Sequence, residues 1–337
     1  MQNHLGWTAW LGALALALFI GSATAADDKA PVAKIKVLII DGQNNHDWRA
    51  TTPHMKKVLE SCGRFTVDVA TSPARPNPPR KPKSPSELDE AMYQEALAKF
   101  KAAEASYRKA MEGFHPDLSK YEVVLSNYNG DTWAKKLQAD LEDYVKSGKG
   151  ALVIVHAANN SFGGWKEYNR MIGMGWRDNR FGERLTIDAE GKQVRVPKGQ
   201  GPGAGHGAQH AFTITVRDAE HPITRGMPSE WLHAQDELYQ GMRGPIENVH
   251  LLATAFADKK KGGGSSSNEH EPMIWTVAYG KGRVFHTPMG HDLTGMRCIG
   301  FITTLQRGTE WAATGKVTIP IPENFPTAAK TSSIPAK

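Results

Sequence analysis

The chain has 337 residues, 40% hydrophobic and 23% charged, a globular composition long enough for one large α/β domain with insertions or for two small domains. Its net charge of +6 is modest, and the basic stretches Arg75 to Lys83 and Lys259 to Lys261 lie in Pro-rich or Gly/Ser-rich loops without interleaved aromatics, which argues against a nucleic-acid partner. The two cysteines, Cys62 and Cys298, form no CxxC pair and exclude a disulfide framework; a single bridge could close in an oxidising compartment, but buried free thiols are favoured.

In chain order, the apolar run Thr8 to Ile20 followed by Ala23-Thr24-Ala25 matches a secretory signal peptide over residues 1–25, although no Lys or Arg precedes it. The run is too short for a permanent membrane anchor, so a periplasmic or secreted mature chain is expected. Lys34 to Asp41 reads as a strand buried on both faces. Thr52 as cap and Pro53 at the first position predict a helix carrying Met55, Val58, Leu59 and Cys62. Phe65, Val67 and Val69 alternate in a second strand, completing a βαβ unit. Residues 74–114, rich in Pro, Lys and Arg and then a charged helix with a thin stripe of Leu88, Met92, Leu97 and Phe100, read as a solvated insertion. Tyr121 to Ser126 and Ala151 to Val155 are further core strands, separated by a helix with Leu137, Leu141, Tyr144 and Val145. Strands at Ala211 to Val216 and His250 to Phe256, a hairpin from Met273 to Thr287 and a closing helix from about Arg297 to Thr314 follow. The pattern predicts an α/β fold with a doubly wound, mostly parallel sheet flanked by helices, in one domain over residues 34–315 with a tail over 316–337.

In such sheets ligands collect beyond the carboxyl ends of the strands. There stand His46, Asp47 and Trp48 after the first strand, Asn127 and Asn129 after the third, and His156, Asn159 and Asn160 after the fourth. His286 and His291 accompany the hairpin. Imidazoles, carboxamides and aromatic rings suit a polyhydroxylated ligand. The leading mechanism is acid/base chemistry with His156 and His286 as proton carriers, His46 in the same rim, and Glu237 or Asp236 as carboxylate partner. The alternative is a divalent metal such as zinc, held by His206 and His210 at i, i+4 with Glu269, His270 and Glu271 as further ligands. Gly203, Gly205 and Gly207 argue against the helix that would align those two histidines. Tyr239, Trp48, Trp165 and Trp275 are candidates to stack on a sugar, and Arg49 and Arg177 to hold a carboxylate or phosphate.

The stretches DGQNNHDWRATTP, VVLSNYNG, LVIVHAANNSFGGWKEYNRMIG, GHGAQHAFTITV, HPITRGMPSEWLHAQDELY and YGKGRVFHTPMGHD resemble the ThuA-like (trehalose utilisation) family from about Lys34 to Gly315, the insertion apart. The resemblance implies a class I glutamine amidotransferase-like, flavodoxin-like sandwich and a link to trehalose-type disaccharides and their keto derivatives. True amidotransferases carry a cysteine nucleophile at a sharp strand-to-helix elbow. Here the fourth strand runs into His156-Ala157-Ala158, and neither cysteine is expected beside a histidine, so glutaminase activity is expected to be absent. The competing expectation is a saccharide-binding module without turnover. Assembly into a homo-oligomer stays open.

Overall fold

The computed structural model describes residues 33–83, 86–188 and 190–336; the expected leader over residues 1–25 lies outside them. Strand β1 (Ile35–Asp41) leads into helix α1 (Trp48–Ser61) and strand β2 (Phe65–Thr71). Helix α1 begins a turn before the Thr52-Pro53 pair, because Asp47 supplies the cap by accepting from the Ala50 amide at 3.2 Å. The buried hydroxyls of Thr51 and Thr52 serve the tertiary structure instead, accepting from Asn127 Nδ2 at 3.2 and 2.9 Å. Helix α2 (Glu87–Gly113) starts in a capping box between Ser86 and Asp89. Its expected stripe is not what anchors it: Leu88 and Met92 are 71% and 62% exposed, while Tyr107 and Met111 near its other end are buried.

The chain continues through β3 (Val123–Ser126), α3 (Lys135–Lys146), β4 (Ala151–Val155) and α4 (Lys166–Ile172). The more loosely patterned part then forms β5 (Glu183–Ile187), β6 (Gln193–Val196), β7 (Gly205–His206), β8 (His210–Val216), β9 (Glu230–Asp236), β10 (Tyr239–Gln240), β11 (Arg243–Gly244) and β12 (Val249–Phe256). After the short α5 (Lys259–Gly262), the hairpin β13 (His270–Tyr279) and β14 (Gly282–Thr287) precedes α6 (Leu293–Met296) and α7 (Ile299–Thr314). No helix among the described residues is long and apolar enough to cross a membrane.

One large sheet runs in the order β2-β1-β3-β4-β14-β13-β12-β8-β9. Strands β2, β1, β3, β4 and β14 are mutually parallel, and from β13 onward the pairing is antiparallel. The parallel half alternates its side chains between two cores. Val37, Ile39, Val123, Leu125 and Val153 meet α1 and α7 on one face, while Leu38, Ile40, Val124, Leu152 and Ile154 meet α3 and α4 on the other. Each such side chain, fully buried, contributes about 1.5–3 kcal/mol relative to exposure, which is why these strands are continuous apolar runs. The doubly wound α/β class expected from the sequence is therefore the class observed. Both cysteines are free, and Cys62 is exposed rather than buried.

The tail is tied to α7 through Glu310. Its carboxylate accepts from Arg64 Nε at 2.9 Å, from the amides of Thr318 and Ile319 at 2.7 and 3.1 Å, and from the Thr318 hydroxyl. Burial works to raise this carboxyl, and those donors overcome it and hold it below its ordinary value of 4.5. Unfolding therefore takes up a proton in the window below that value, so the stability the group contributes is complete above it and is lost as pH falls through the depressed value. Glu310→Gln is expected to lower neutral-pH stability by about 1–3 kcal/mol and to flatten the acid limb of the melting temperature against pH; an unchanged limb would contradict this account.

Candidate functional site

The loops after β1, β3, β4 and β14 meet at the carboxyl edge of the parallel strands, and His156 is the first residue beyond β4. It stands at φ +47°, in the left-handed region that costs a non-glycine residue about 1–3 kcal/mol and persists only where surrounding contacts enforce it. Those contacts are present. His156 Nδ1 lies 2.7 Å from the Pro288 carbonyl, and a carbonyl can only accept, so Nδ1 carries the proton and Nε2 is the bare nitrogen of the neutral ring. Burial pushes the pKa of His156 down to about 3, which keeps the ring neutral. The hydroxyl of Tyr239 donates to Nε2 at 3.0 Å.

The turn that follows is held by the buried Arg177. Its guanidinium donates to the carbonyls of Asn159, Asn160 and Trp176 at 3.0, 2.9 and 2.8 Å, to the Ser161 carbonyl at 2.5 Å, and to Asn169 Oδ1 at 3.0 Å. Arg177 is thus a backbone clamp, and the anion-binding role expected of it is overturned: its donors are already spent.

Glu237 stands just beyond β9, buried, and imidazoles surround it. His291 Nε2 is 3.3 Å and His206 Nε2 3.4 Å from its Oε1, and His156 Nε2 is 3.6 Å from Oε2. Burial raises the Glu237 carboxyl above its ordinary range against the pull of His291 and His206. His206 Nδ1 donates to the Gly207 carbonyl at 2.8 Å, which aims its Nε2, like that of His156, at the carboxylate. The half-buried His46 has its ring 4.7 Å from that of His156 and 4.6 Å from that of His291. Burial first, then the neighbouring His291 and His206, bring the pKa of His46 down to about 4. Asn45 Oδ1 accepts from Asn129 Nδ2 at 2.6 Å, which turns its amide so that Nδ2 donates to His46 Nε2 at 3.2 Å. His46, His156 and Glu237 each offer one ligand atom within 4.8 Å of the others.

Asp236 supports this group from below. Fully buried, it accepts from the amides of Gly290, His291 and Glu237 at 2.7, 3.0 and 2.8 Å and pairs with His233 Nε2 at 2.8 Å. Burial works to raise its carboxyl, and His233 overcomes it and holds it low. The expected partnership of Glu237 or Asp236 resolves accordingly: Glu237 faces the imidazoles and Asp236 positions their backbone.

Several expectations are corrected. His286 is buried with both nitrogens engaged, Nδ1 on the Ile172 carbonyl at 3.1 Å and Nε2 on Asn159 Nδ2 at 3.2 Å. It pairs in register with Trp275 inside the sheet, so it belongs to the core and not to the cluster. Asn159 is buried with it, and Asn127 is spent on Thr51 and Thr52. Asp47 is the exposed cap of α1. The His206–His210 metal pair does not form: β7 pairs with β10 while β8 joins the large sheet, and His210 Nδ1 turns to the Ala208 carbonyl at 2.8 Å. Glu269 and Glu271 are ion-paired to Arg184, which removes them as metal ligands. Trp165 and Trp275 pack in the core. Trp176, which the sequence reading passed over, contacts Tyr239 edge-on at 4.6 Å between ring centroids and stands 5.8 Å from His206. Its only signal was its place beside Arg177. Asn160 is half-buried, with Oδ1 lacking a hydrogen bond. Cys298, expected to lie away from any histidine, adjoins His233, whose hydrogen bond and charge outweigh burial and lower the thiol. Both are fully buried, so the pair offers no exposed nucleophile.

Comparison with known proteins bears on this geometry. A family model described as ThuA, trehalose utilisation, matches residues 36–312. A solved ThuA-like protein from Parabacteroides merdae is 38% identical, with a TM-score of 0.75 over 90% of this chain and 98% of that chain. A second, from Bacteroides uniformis, is 17% identical with a TM-score of 0.51 over 88% of this chain and 96% of that chain, a likeness of fold. No match is found among curated proteins.

Proposed function

The chain belongs to the ThuA family, and from that premise we propose that it is an exported enzyme acting on a carbohydrate, a trehalose-type disaccharide or a keto-sugar derivative, at the cluster of His46, His156 and Glu237. The observation that carries the reading is the convergence of imidazole nitrogens on one buried carboxylate. His156 and His206 each have Nδ1 tied to a backbone carbonyl, and their Nε2 atoms face Glu237 at 3.6 and 3.4 Å. Imidazole nitrogens facing a carboxylate in a buried setting call for a proton or a cation between them, and a backbone carbonyl on the far nitrogen is the usual support of a metal-bound histidine. The cluster fits a divalent metal such as zinc, with His46, His156 and Glu237 as its ligands, provided the Asn45 amide and the Tyr239 hydroxyl give up the ring nitrogens they occupy here. When bound, such an ion polarises a sugar carbonyl or hydroxyl oxygen and acidifies water.

The chain's own groups divide the remaining work. The Pro288 carbonyl fixes His156 and Asp236 fixes Glu237, while the more exposed His206 and His291 can exchange a proton with a sugar oxygen. Export rests on the apolar run Thr8 to Ile20 and the small residues that follow it. Glutaminase activity is read as absent because the elbow residue is His156 and not a thiol. A second reading, acid/base chemistry without metal, draws on the Tyr239 hydroxyl that occupies His156 Nε2 at 3.0 Å; there Glu237, its carboxyl raised, is the proton carrier.

The test is metal content after chelator-free purification, with turnover of trehalose, its 3-keto form and 3-keto glycosides measured in EDTA and after zinc is restored. About one bound divalent ion and EDTA-sensitive, zinc-restored turnover are expected. Absence of metal with undiminished turnover in EDTA would select the acid/base reading. Saccharide binding without turnover under any condition would reduce the protein to a binding module.

A further inference from the structure

A cavity of about 400 Å³ lies beside the imidazole cluster at the start of α1, lined among others by Gln43, Asn45, Trp48, Arg49, Arg75 and Asn129. Asn45 is common to both places, since it takes a hydrogen bond from Asn129 and gives one to His46. The walls are built before any ligand arrives. Gln43 Nε2 donates to the Tyr107 hydroxyl at 2.8 Å and to the Pro73 carbonyl at 3.1 Å, and its Oε1 accepts from the Asp131 amide at 3.0 Å. Gly130 permits this packing, because a Cβ there would come within 2.4 Å of the Gln43 side chain. The guanidinium of Arg49 lies 4.3 Å over the ring of Trp48.

The charge lining the cavity is one-sided. Its lining holds two arginines and no carboxylate. Arg75 shares its charge with Asp131 at 3.3 Å, and Arg49, which makes no hydrogen bond or close ion pair among the described residues, acts at longer range on the buried Asp41 carboxyl. Three nearby acceptors are already engaged: Gln43 Oε1 by the Asp131 amide, Asn45 Oδ1 by Asn129, and Asn44 Oδ1 by the His46 amide at 3.0 Å. What remains outward is a pair of guanidinium groups and the carboxamides of Asn77 and Asn129 beside an indole. An oxyanion satisfies the donors, and the apolar face of a sugar ring suits the indole.

We infer that this cavity is a subsite for an acidic saccharide, one whose carboxylate or phosphate is held by Arg49 and Arg75 while its ring packs on Trp48, next to His46. The inference rests on the carbohydrate reading of the adjoining cluster and narrows its substrate to an anionic sugar derivative.

Calorimetric titration of the full chain with glucuronate and with glucose 1-phosphate, against glucose, acetate and inorganic phosphate, tests it. At least one of the two acids is expected to bind about tenfold or more tighter than glucose and than either simple anion, and the tighter acid identifies the group recognised. Arg49→Gln, a change at a solvent-exposed helix position, is expected to abolish that preference, and Glu237→Gln to retain it. Equal binding of the acids and glucose would overturn the subsite, as would an unaffected Arg49→Gln variant, or simple anions that bind as tightly as the sugar acids. Loss of the metal reading with the Arg49-dependent preference intact would fault the cluster alone.

Discussion

Replacing Glu237 with Gln is expected to strip the divalent ion proposed for this cluster and to lower turnover by roughly 10²–10³ or more, while the fold survives. Glu237 is the carboxylate that His156, His206 and His291 face together. The amide keeps its shape and removes the negative charge, so the cation loses its one anionic ligand in the cluster. Stability of the metal-free protein should hold or rise slightly, because an ionised carboxyl in a buried setting is costly and the variant no longer carries it, whereas metal should raise the melting temperature of the wild type alone. Metal analysis, turnover and thermal melting on the same preparation separate these effects. Wild-type metal content together with wild-type turnover in the variant would sink the role assigned to Glu237. His156→Asn is expected to match it in activity, and the loss of the Pro288 hydrogen bond should lower its melting temperature as well.

The second large effect is structural. Arg177→Met is expected to cost about 3–5 kcal/mol, read as a fall in the urea midpoint, and to take activity with it. The clamp's partners are carbonyls and one carboxamide, without a carboxylate among them. Removing it strands several acceptors at once in a buried turn. That turn begins at His156, whose positive φ persists only while its surroundings enforce it. Arg177→Lys should rescue little, since a single ammonium cannot reach the directions the guanidinium fork spans. A loss below about 1 kcal/mol in Arg177→Met would mean that the turn is held by other contacts.

Much of the candidate site was legible because strand ends are. His156 stands immediately past an apolar run and His46 in the loop that follows another, and that position brings them to the carboxyl edge of the sheet. His286 was misjudged for the same reason in reverse: it lies inside β14, one residue before the strand ends, where helices cover both faces and a polar ring is buried whichever way it turns. Glu237 and Asp236 are adjacent in sequence and looked interchangeable. They separate because successive residues point to opposite sides at the end of β9, one to the imidazoles and the other to the backbone amides beneath them. The His206–His210 spacing carried no information, because i, i+4 aligns side chains on a helix and these two residues stand on different strands.

By itself the sequence determined the class of fold and the edge of the sheet where polar residues would gather, since apolar continuity and Gly/Pro punctuation are local properties of the chain. Which imidazoles meet, and which nitrogen of each carries the proton, was decided only in the tertiary structure. The groups that set those states lie far along the chain, Pro288 132 residues and Tyr239 83 residues from His156. Contacts of that separation follow from the packing of the whole sheet and leave no trace in the spacing of neighbouring residues.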